Sequence, residues 1–224
     1  MIRFFDIFFS SLALLLLSPL FFVLIIILKF SGEGEIFYLQ KRVGLHERKF
    51  SLCKFVTMIK NSPLSGSGEI TIKDDPRILP VGKMLRKTKI NELPQLFNIL
   101  IGDMSLVGPR PLALSGYKNY PESQKRDLQK IKPGLSGLAS LILRNEEEIL
   151  SKSSSPLDFH SNTLTPFKGE TEIWFNKRNS IVNYFKIIFL TIWIVLFSKS
   201  KILEKVFLER PEMPRELQDI IEII

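Results

Sequence analysis

Hydrophobic positions are spread unevenly along the chain. From Ile7 to Leu28 no position is charged, and almost every one is Leu, Ile, Phe, Val or Ala. At 1.5 Å rise per residue this stretch makes a helix of about 33 Å, close to the hydrocarbon thickness of a bilayer. The run predicts a helix in lipid. A cleaved signal peptide fits less well, because the run is longer than an h-region and Ser31-Gly32-Glu33 is a poor small-x-small cleavage site. Ser18-Pro19 falls at its centre. Pro19 offers no N–H to the carbonyl of Leu15 and crowds it, which predicts a kink, while Ser18 can bond back to the freed carbonyl. A sharp kink would let the chain enter and leave lipid on one side. On the residues alone, a gently kinked spanning helix is the commoner solution. Charge does not choose between them: Arg3 precedes the run, and Lys29 and Lys41-Arg42 follow it.

Past Lys29 the pattern becomes that of a water-soluble domain. Positions 36–43 (IFYLQKRV) carry β-type residues and end at Gly44, and positions 49–59 alternate apolar and polar residues as a second element. Positions 61–76 read as a loop, whose SGSG neither follows a convincing strand nor opens a helix in the manner of a phosphate cradle. Positions 79–100 read as helix interrupted near Asn91, 105–116 as a Gly/Pro-rich loop, 117–132 as a polar helix, and 132–134 as a turn. The apolar run 187–197 is too short to span a bilayer. It reads as a core helix or an interfacial one, and the flanking Lys186, Lys199 and Lys201 favour the interface. The tail from Ile202 is amphipathic and interrupted by Pro211 and Pro214, which predicts two short helices.

Composition narrows the chemistry. A chain of 224 residues with 45% hydrophobic content supports one domain with a core and excludes disorder as the dominant state. A single cysteine, Cys53, excludes an internal disulfide and a cysteine zinc site, and His46 and His160 are too few for a histidine cage. Any metal used here is a hard one held by oxygens.

The densest chemical signal lies between Asp75 and Pro111. Five cations (Arg77, Lys83, Arg86, Lys87, Lys89) and no acid occupy positions 77–90, which composition alone would explain as a solvated helix face. They run into Asn91-Glu92-Leu93-Pro94, which predicts a helix start with Asn91 as N-cap and Pro94 in the first turn. A helix start behind a cationic stretch suits phosphate. Glu92 is either a first-turn acid favoured by the helix dipole or a ligand for Mg²⁺, which takes one or two carboxylates together with substrate phosphates. Gly108-Pro109-Arg110-Pro111 is either an ordinary proline turn or a rigid loop presenting one guanidinium to phosphate oxygens.

These motifs occur in a recognisable order. The Ser-Pro-broken apolar N-terminus is followed by Gln40-x-Arg42-x-Gly44, Lys54-Phe55-x-Thr57-Met58, Asp75-Pro76-Arg77-Ile78, Gly82-x-x-Leu85-Arg86-Lys87 and Glu92-Leu93-Pro94-Gln95-Leu96. Gly102-Asp103-Met104-Ser105-Leu106-Val107 continuing into Gly108-Pro109-Arg110-Pro111, and Lys132-Pro133-Gly134-Leu135-Ser136-Gly137, complete the series. Together they resemble the bacterial sugar transferase family, the monotopic phosphoglycosyl transferases, from the N-terminus to about Phe197. The resemblance implies a small, mostly α, α/β membrane-associated domain: a re-entrant helix-break-helix anchor over 1–30 turning at Ser18-Pro19, a catalytic domain over 31–186, and C-terminal interfacial amphipathic helices over 187–224. It implies transfer of a sugar 1-phosphate from a UDP-sugar to undecaprenyl phosphate, with Mg²⁺, on the cytoplasmic face of the bacterial inner membrane. Asn91 and Glu92 then stand at the catalytic positions and Glu92 at the metal. Arg77, Arg86, Lys87 and Arg110, with the frame of Gly108, Pro109 and Pro111, are the expected phosphate-binding set. A homodimer is left open.

The chain departs from the family pattern where the chemistry is expected. The family's dyad is Asp-Glu with the Asp as nucleophile, and the first position here is Asn91, a neutral amide with a delocalised lone pair. Val56 stands where an Arg is usual, and Asn183 where an Asp is expected. Four accounts remain: another carboxylate acts, with Glu146-Glu147-Glu148 the nearest candidates; transfer is direct; the chain is an inactive relative serving as a membrane scaffold; or the sequence is altered at Asn91. A nucleic-acid partner is not expected, because positions 77–90 lack the aromatic residues that stack on bases.

Overall fold

The computed structural model describes residues 1–62, 75–197, 200 and 202–223, so most of the expected 61–76 loop, with its SGSG, lies outside the described residues. The apolar run forms one helix, α1 (Ile2–Lys29). Its hydrogen-bonded course continues through Pro19, and the Ser18 hydroxyl donates to the Leu15 carbonyl at 2.8 Å, supplying the bond that proline cannot make. Helical hydrogen bonding thus runs on both sides of the expected break at Ser18-Pro19 within one assigned helix.

Both ends of α1 rest on the same body. At the N-terminal end Arg3 donates to the carbonyls of Ile99 and Leu100, capping the last turn of α3 (Gln95–Ile101). Asp6 is 2% exposed, and its Oδ1 accepts from Ser105 Oγ, Leu106 N and Tyr184 Oη, each at 2.9 Å. At the C-terminal end Phe21, Leu24 and Leu28 pack with Phe55 and Leu85, and each such buried side chain contributes about 1.5 to 3 kcal/mol. Between the ends, Ala13, Leu14 and Leu17 meet Leu96, Ile99 and Met104. The opposite stripe, including Leu15, Leu16 and Phe22, is exposed.

The two elements expected at 36–43 and 49–59 are strands, β1 (Phe37–Val43) and β2 (Lys49–Phe55), which pair as an antiparallel hairpin with Gln40 opposite Leu52. The interrupted helix resolves into α2 (Pro80–Lys87), a 3-10 turn at Ile90–Glu92, and α3. Asn91 does not cap α3. Pro94 holds that position, because the chain is already helical through Leu93, and Asn91 lies buried inside the preceding turn.

Two further expectations change. The 105–116 loop contains β3 (Ser105–Val107), which pairs in parallel with β4 (Gly134–Ser136), and α4 (Leu114–Lys118). Short-range pattern does not reveal a three-residue strand whose partner lies nearly thirty positions away. The polar helix divides into α4 and α5 (Glu122–Leu128) at Pro121. The β3–β4 crossing demands glycine on both chains: a Cβ on Gly108 would lie 2.4 Å from the Lys132 carbonyl, and one on Gly134 2.1 Å from Gly108 N.

The C-terminal half is helical: α6 (Leu138–Ile142), α7 (Glu146–Lys152), α8 (Pro156–Phe159), α9 (Thr165–Lys177) and α10 (Ile181–Leu196). The apolar 187–197 run is both core and surface. In α10, Ile187, Leu190 and Ile194 join Leu138, Leu141 and Phe175 in the core, while Phe189, Ile192 and Val195 are exposed. Phe185 of α10 touches Phe5 and Phe9 of α1, so the exposed apolar faces of the two helices adjoin. The tail forms the two helices expected, α11 (Ile202–Val206) and α12 (Arg215–Ile223).

Candidate active site

A cleft of about 1500 Å³ opens between β2, the Asn91 turn, the Arg110 loop, α7 and α10. Lys54 occupies an inward parity of β2, on the face of Phe50 and Leu52. Glu92 and Arg110 form a two-point ion pair: Arg110 Nη1 donates to Glu92 Oε2 at 3.1 Å, and Nη2 to Oε1. Burial opposes ionisation of Glu92, but Arg110, Lys54 and Lys89 outweigh it and hold the carboxyl well below its ordinary range. Lys54 is lowered to about 7 by burial and then by Arg110, against the opposing pull of Glu92. It titrates near neutral pH beside a permanently ionised pair.

Across the cleft, Glu146 accepts from Lys168 and faces His160 Nε2 at 3.4 Å. Lys168 and His160 overcome the burial cost and hold Glu146 ionised, and the acid also acts on Arg110. Arg86 of α2 reaches Glu147 of α7 at 3.0 Å, closing one rim. The opposite wall is apolar, formed by Ile188, Ile192 and Val195 of α10.

Of the residues singled out by sequence, Asn91, Glu92, Arg86, Lys87, Pro109 and Arg110 line this cleft. Gly108 and Pro111 do not; they shape the loop behind it, Gly108 at the backbone crossing and Pro111 through its carbonyl, which accepts from Arg42. Arg77 does not line the cleft. Its side chain is 7% exposed, forks onto Asp75 and donates to the Ser62 carbonyl. Ser18 and Pro19 are exposed on α1, remote from the cleft lining. Sequence reasoning did not assign a site role to Lys54, although a lysine at an inward strand position was the available signal. It also passed over Asp6, which follows the same rule in a helix: one acid at the edge of an apolar run needs a partner.

Asn91 brings an amide rather than a carboxylate to this site. Its Oδ1 is buried with no hydrogen-bond partner, an arrangement that costs about 1 to 3 kcal/mol. Among the described residues no group of three or more His, Cys, Asp or Glu gathers to cage a metal. A hard cation bound here would have Glu92 as its nearest cleft carboxylate and would take its other oxygens from substrate and water.

A cationic pocket beside an ionised carboxylate, walled on one side by an apolar helix that reaches the surface, suits phosphate groups next to an apolar surface. Comparison with known proteins supplies the class: residues 1–198 match the bacterial sugar transferase family. The chain belongs to that family. It is 39% identical over 158 residues to the exopolysaccharide production protein ExoY of Sinorhizobium fredii, covering 64% of the chain and 70% of that protein. It is 34% identical over 200 residues to the UDP-glucose:undecaprenyl-phosphate glucose-1-phosphate transferase of Klebsiella pneumoniae, covering 87% of the chain and 40% of that enzyme. An uncharacterized sugar transferase of Bacillus subtilis, EpsL, is 32% identical over 198 residues, covering 88% of each.

Proposed function

We propose that this protein transfers a sugar 1-phosphate from a UDP-sugar to undecaprenyl phosphate at the cytoplasmic face of the inner membrane. The observation that carries this reading is the two-sided cleft. Lys54, Arg86, Lys87 and Arg110 suit the diphosphate of a soluble donor, and the α10 wall suits the chain of a lipid acceptor. In the reaction a phosphate oxygen of the acceptor attacks the sugar-bearing phosphorus, the bond from that phosphorus to the UMP oxygen breaks, and UMP leaves. The protein's part is positioning and neutralisation of charge. Arg110, paired with Glu92 in the unliganded cleft, is the guanidinium placed to bind the donor phosphates. Glu92 would be the carboxylate ligand for Mg²⁺, whose charge would help neutralise the diphosphate.

Topology follows from α1. Both of its ends pack on one domain, through Arg3 and Asp6 at one end and Leu24 and Leu28 at the other, which favours an anchor that enters and leaves on the same side. The exposed apolar faces of α1 and α10 are the lipid-contacting surface in this reading. In a Cys53→Ser background, Ile2→Cys resists a membrane-impermeant reagent applied from the periplasm; labelling there overturns the topology.

Asn91 supports a second reading, a catalytically impaired relative that binds donor at the membrane. The test of both is UMP release from a panel of UDP-sugars with undecaprenyl phosphate and Mg²⁺, for this chain and for Asn91→Asp, alongside intact-protein mass. No phosphosugar adduct at position 91 is expected in the chain as it stands, and a gain of tenfold or more in Asn91→Asp supports impairment. Equal activity in both forms would make position 91 dispensable. Donor binding without UMP release from either form would leave only the scaffold reading.

A further inference from the structure

The inner wall of the cleft holds a carboxyl group that the transfer chemistry does not use. Glu172 of α9 is 3% exposed and lines the cleft. Its Oε1 accepts from Ala139 N at 2.9 Å, capping the first turn of α6, while Oε2 is buried with no hydrogen-bond partner. A buried polar atom without a partner is costly, and at the wall of a ligand cleft its natural complement is a donor on the ligand. Burial pushes this carboxyl up to about 7.

Its surroundings restrict what that ligand group can be. Glu172 packs behind the Arg110 loop: a Cβ on Gly137 would stand 2.4 Å from the Gly108 carbonyl and 2.6 Å from Glu172 Oε1, so only glycine lets the carboxyl lie this close to the loop. Tyr120, which lines the same cleft, is raised by burial and then by the charges of Glu172 and Glu146. A buried carboxyl is a poor partner for phosphate, and the cleft already offers Lys54, Arg86, Lys87 and Arg110 to the diphosphate. The α10 wall takes the lipid. What remains is a neutral donor close to the phosphate held by Arg110. In a nucleotide sugar that group is the sugar, bonded directly to the transferred phosphate, whereas the base is held off by ribose and a second phosphate.

We propose that Glu172 is a donor-recognition residue, whose free carboxyl oxygen accepts a hydrogen bond from a hydroxyl or amide N–H of the sugar. This inference rests on the proposed use of a nucleotide-sugar donor and adds to it the residue that reads the sugar. The test is binding rather than turnover, so the state of Asn91 does not enter. Affinities of UDP, UDP-glucose, UDP-galactose and UDP-N-acetylglucosamine are measured on the full chain in detergent, for the wild type, Glu172→Gln and Glu172→Met. Glu172→Gln preserves volume and the bond to Ala139, and melting temperature reports folding. For the sugar bound best by the wild type, its advantage over UDP should shrink about threefold in Glu172→Gln and tenfold or more in Glu172→Met, with UDP affinity within twofold. If the UDP-sugar and UDP weaken together, or the advantage survives in a folded Glu172→Met, Glu172 is a capping group only and the proposal falls. If the wild type binds neither UDP nor any UDP-sugar, the nucleotide-sugar reading itself fails.

Discussion

Two arginine–carboxylate forks in this protein look alike as chemistry and differ in their surroundings. Arg77 and Asp75 are two residues apart, and their side chains are 7% and 2% exposed. Arg77 also fastens the Ser62 carbonyl, and its own carbonyl accepts from Ile59 N, so the pair ties the entry of α2 to the end of the hairpin. Arg110 and Glu92 come from separate segments, 42% and 13% exposed, and face a cleft that Lys54 also lines. The first fork is saturated by protein groups and holds the fold. The second can exchange its carboxylate for phosphate oxygens, because water and ligand reach it. An arginine in a basic run is therefore not a phosphate ligand by count; it is one when its alternative partners can enter.

The largest effect expected from this contrast is loss of folding in Arg77→Ala. Removing one partner of a buried pair leaves an uncompensated charge and costs about 3 to 5 kcal/mol, read as a fall in the denaturation midpoint. A variant that melts like wild type would show that Asp75 has another counter-charge. Arg110→Ala should differ, losing turnover with a smaller fall in melting temperature, because Lys54 and Lys89 remain to offset the Glu92 charge. A charge-assisted pair of about 1.5 to 3 kcal/mol corresponds to roughly tenfold to 150-fold in UMP release or UDP affinity. Unchanged turnover in a folded Arg110→Ala would remove the cleft fork from the site.

The pH response separates the forks further. Lys54 sits at about 7 in the folded protein, below its unfolded value, so between pH 7 and its ordinary range near 10.5 the unfolded state binds the extra proton. Stability is expected to rise with pH across that window, and Lys54→Met should flatten the rise without altering behaviour near pH 5. An identical slope in the variant would assign the titration elsewhere. The smallest change is expected at the rim. Arg86→Gln breaks a partly exposed pair with Glu147 and should move stability by less than about 1 kcal/mol. A larger loss, read in the same denaturation experiment, would mean that the rim contact holds α7 in place.

Much of the architecture is legible from residue order. The two strands follow from the β-type run ending at Gly44 and the alternation from Lys49, the divided tail from Pro211 and Pro214, and the Ser18-to-Leu15 bond from a serine beside a mid-helix proline. The cleft's polar rim is partly legible too, since Asn91, Glu92, Arg86 and Arg110 lie in or near one cationic stretch. These are local properties: period, capping and ring chemistry act over a few residues, and the side chains concerned are neighbours in the chain.

Partner choice was not legible, because it depends on which groups are buried together. Asp6 meets Ser105 and Tyr184, separated from it by 99 and 178 positions, only because α1 lies across β3 and α10. Asn91 became a buried turn residue instead of a cap because helical geometry began before it. Arg77 and Arg110 carry the same guanidinium, and the sequence placed both among the phosphate-binding candidates. Only the tertiary structure closed one in protein and opened the other to a cleft, since the worth of a charge pair is set by the solvent it has lost and the partners that can still reach it.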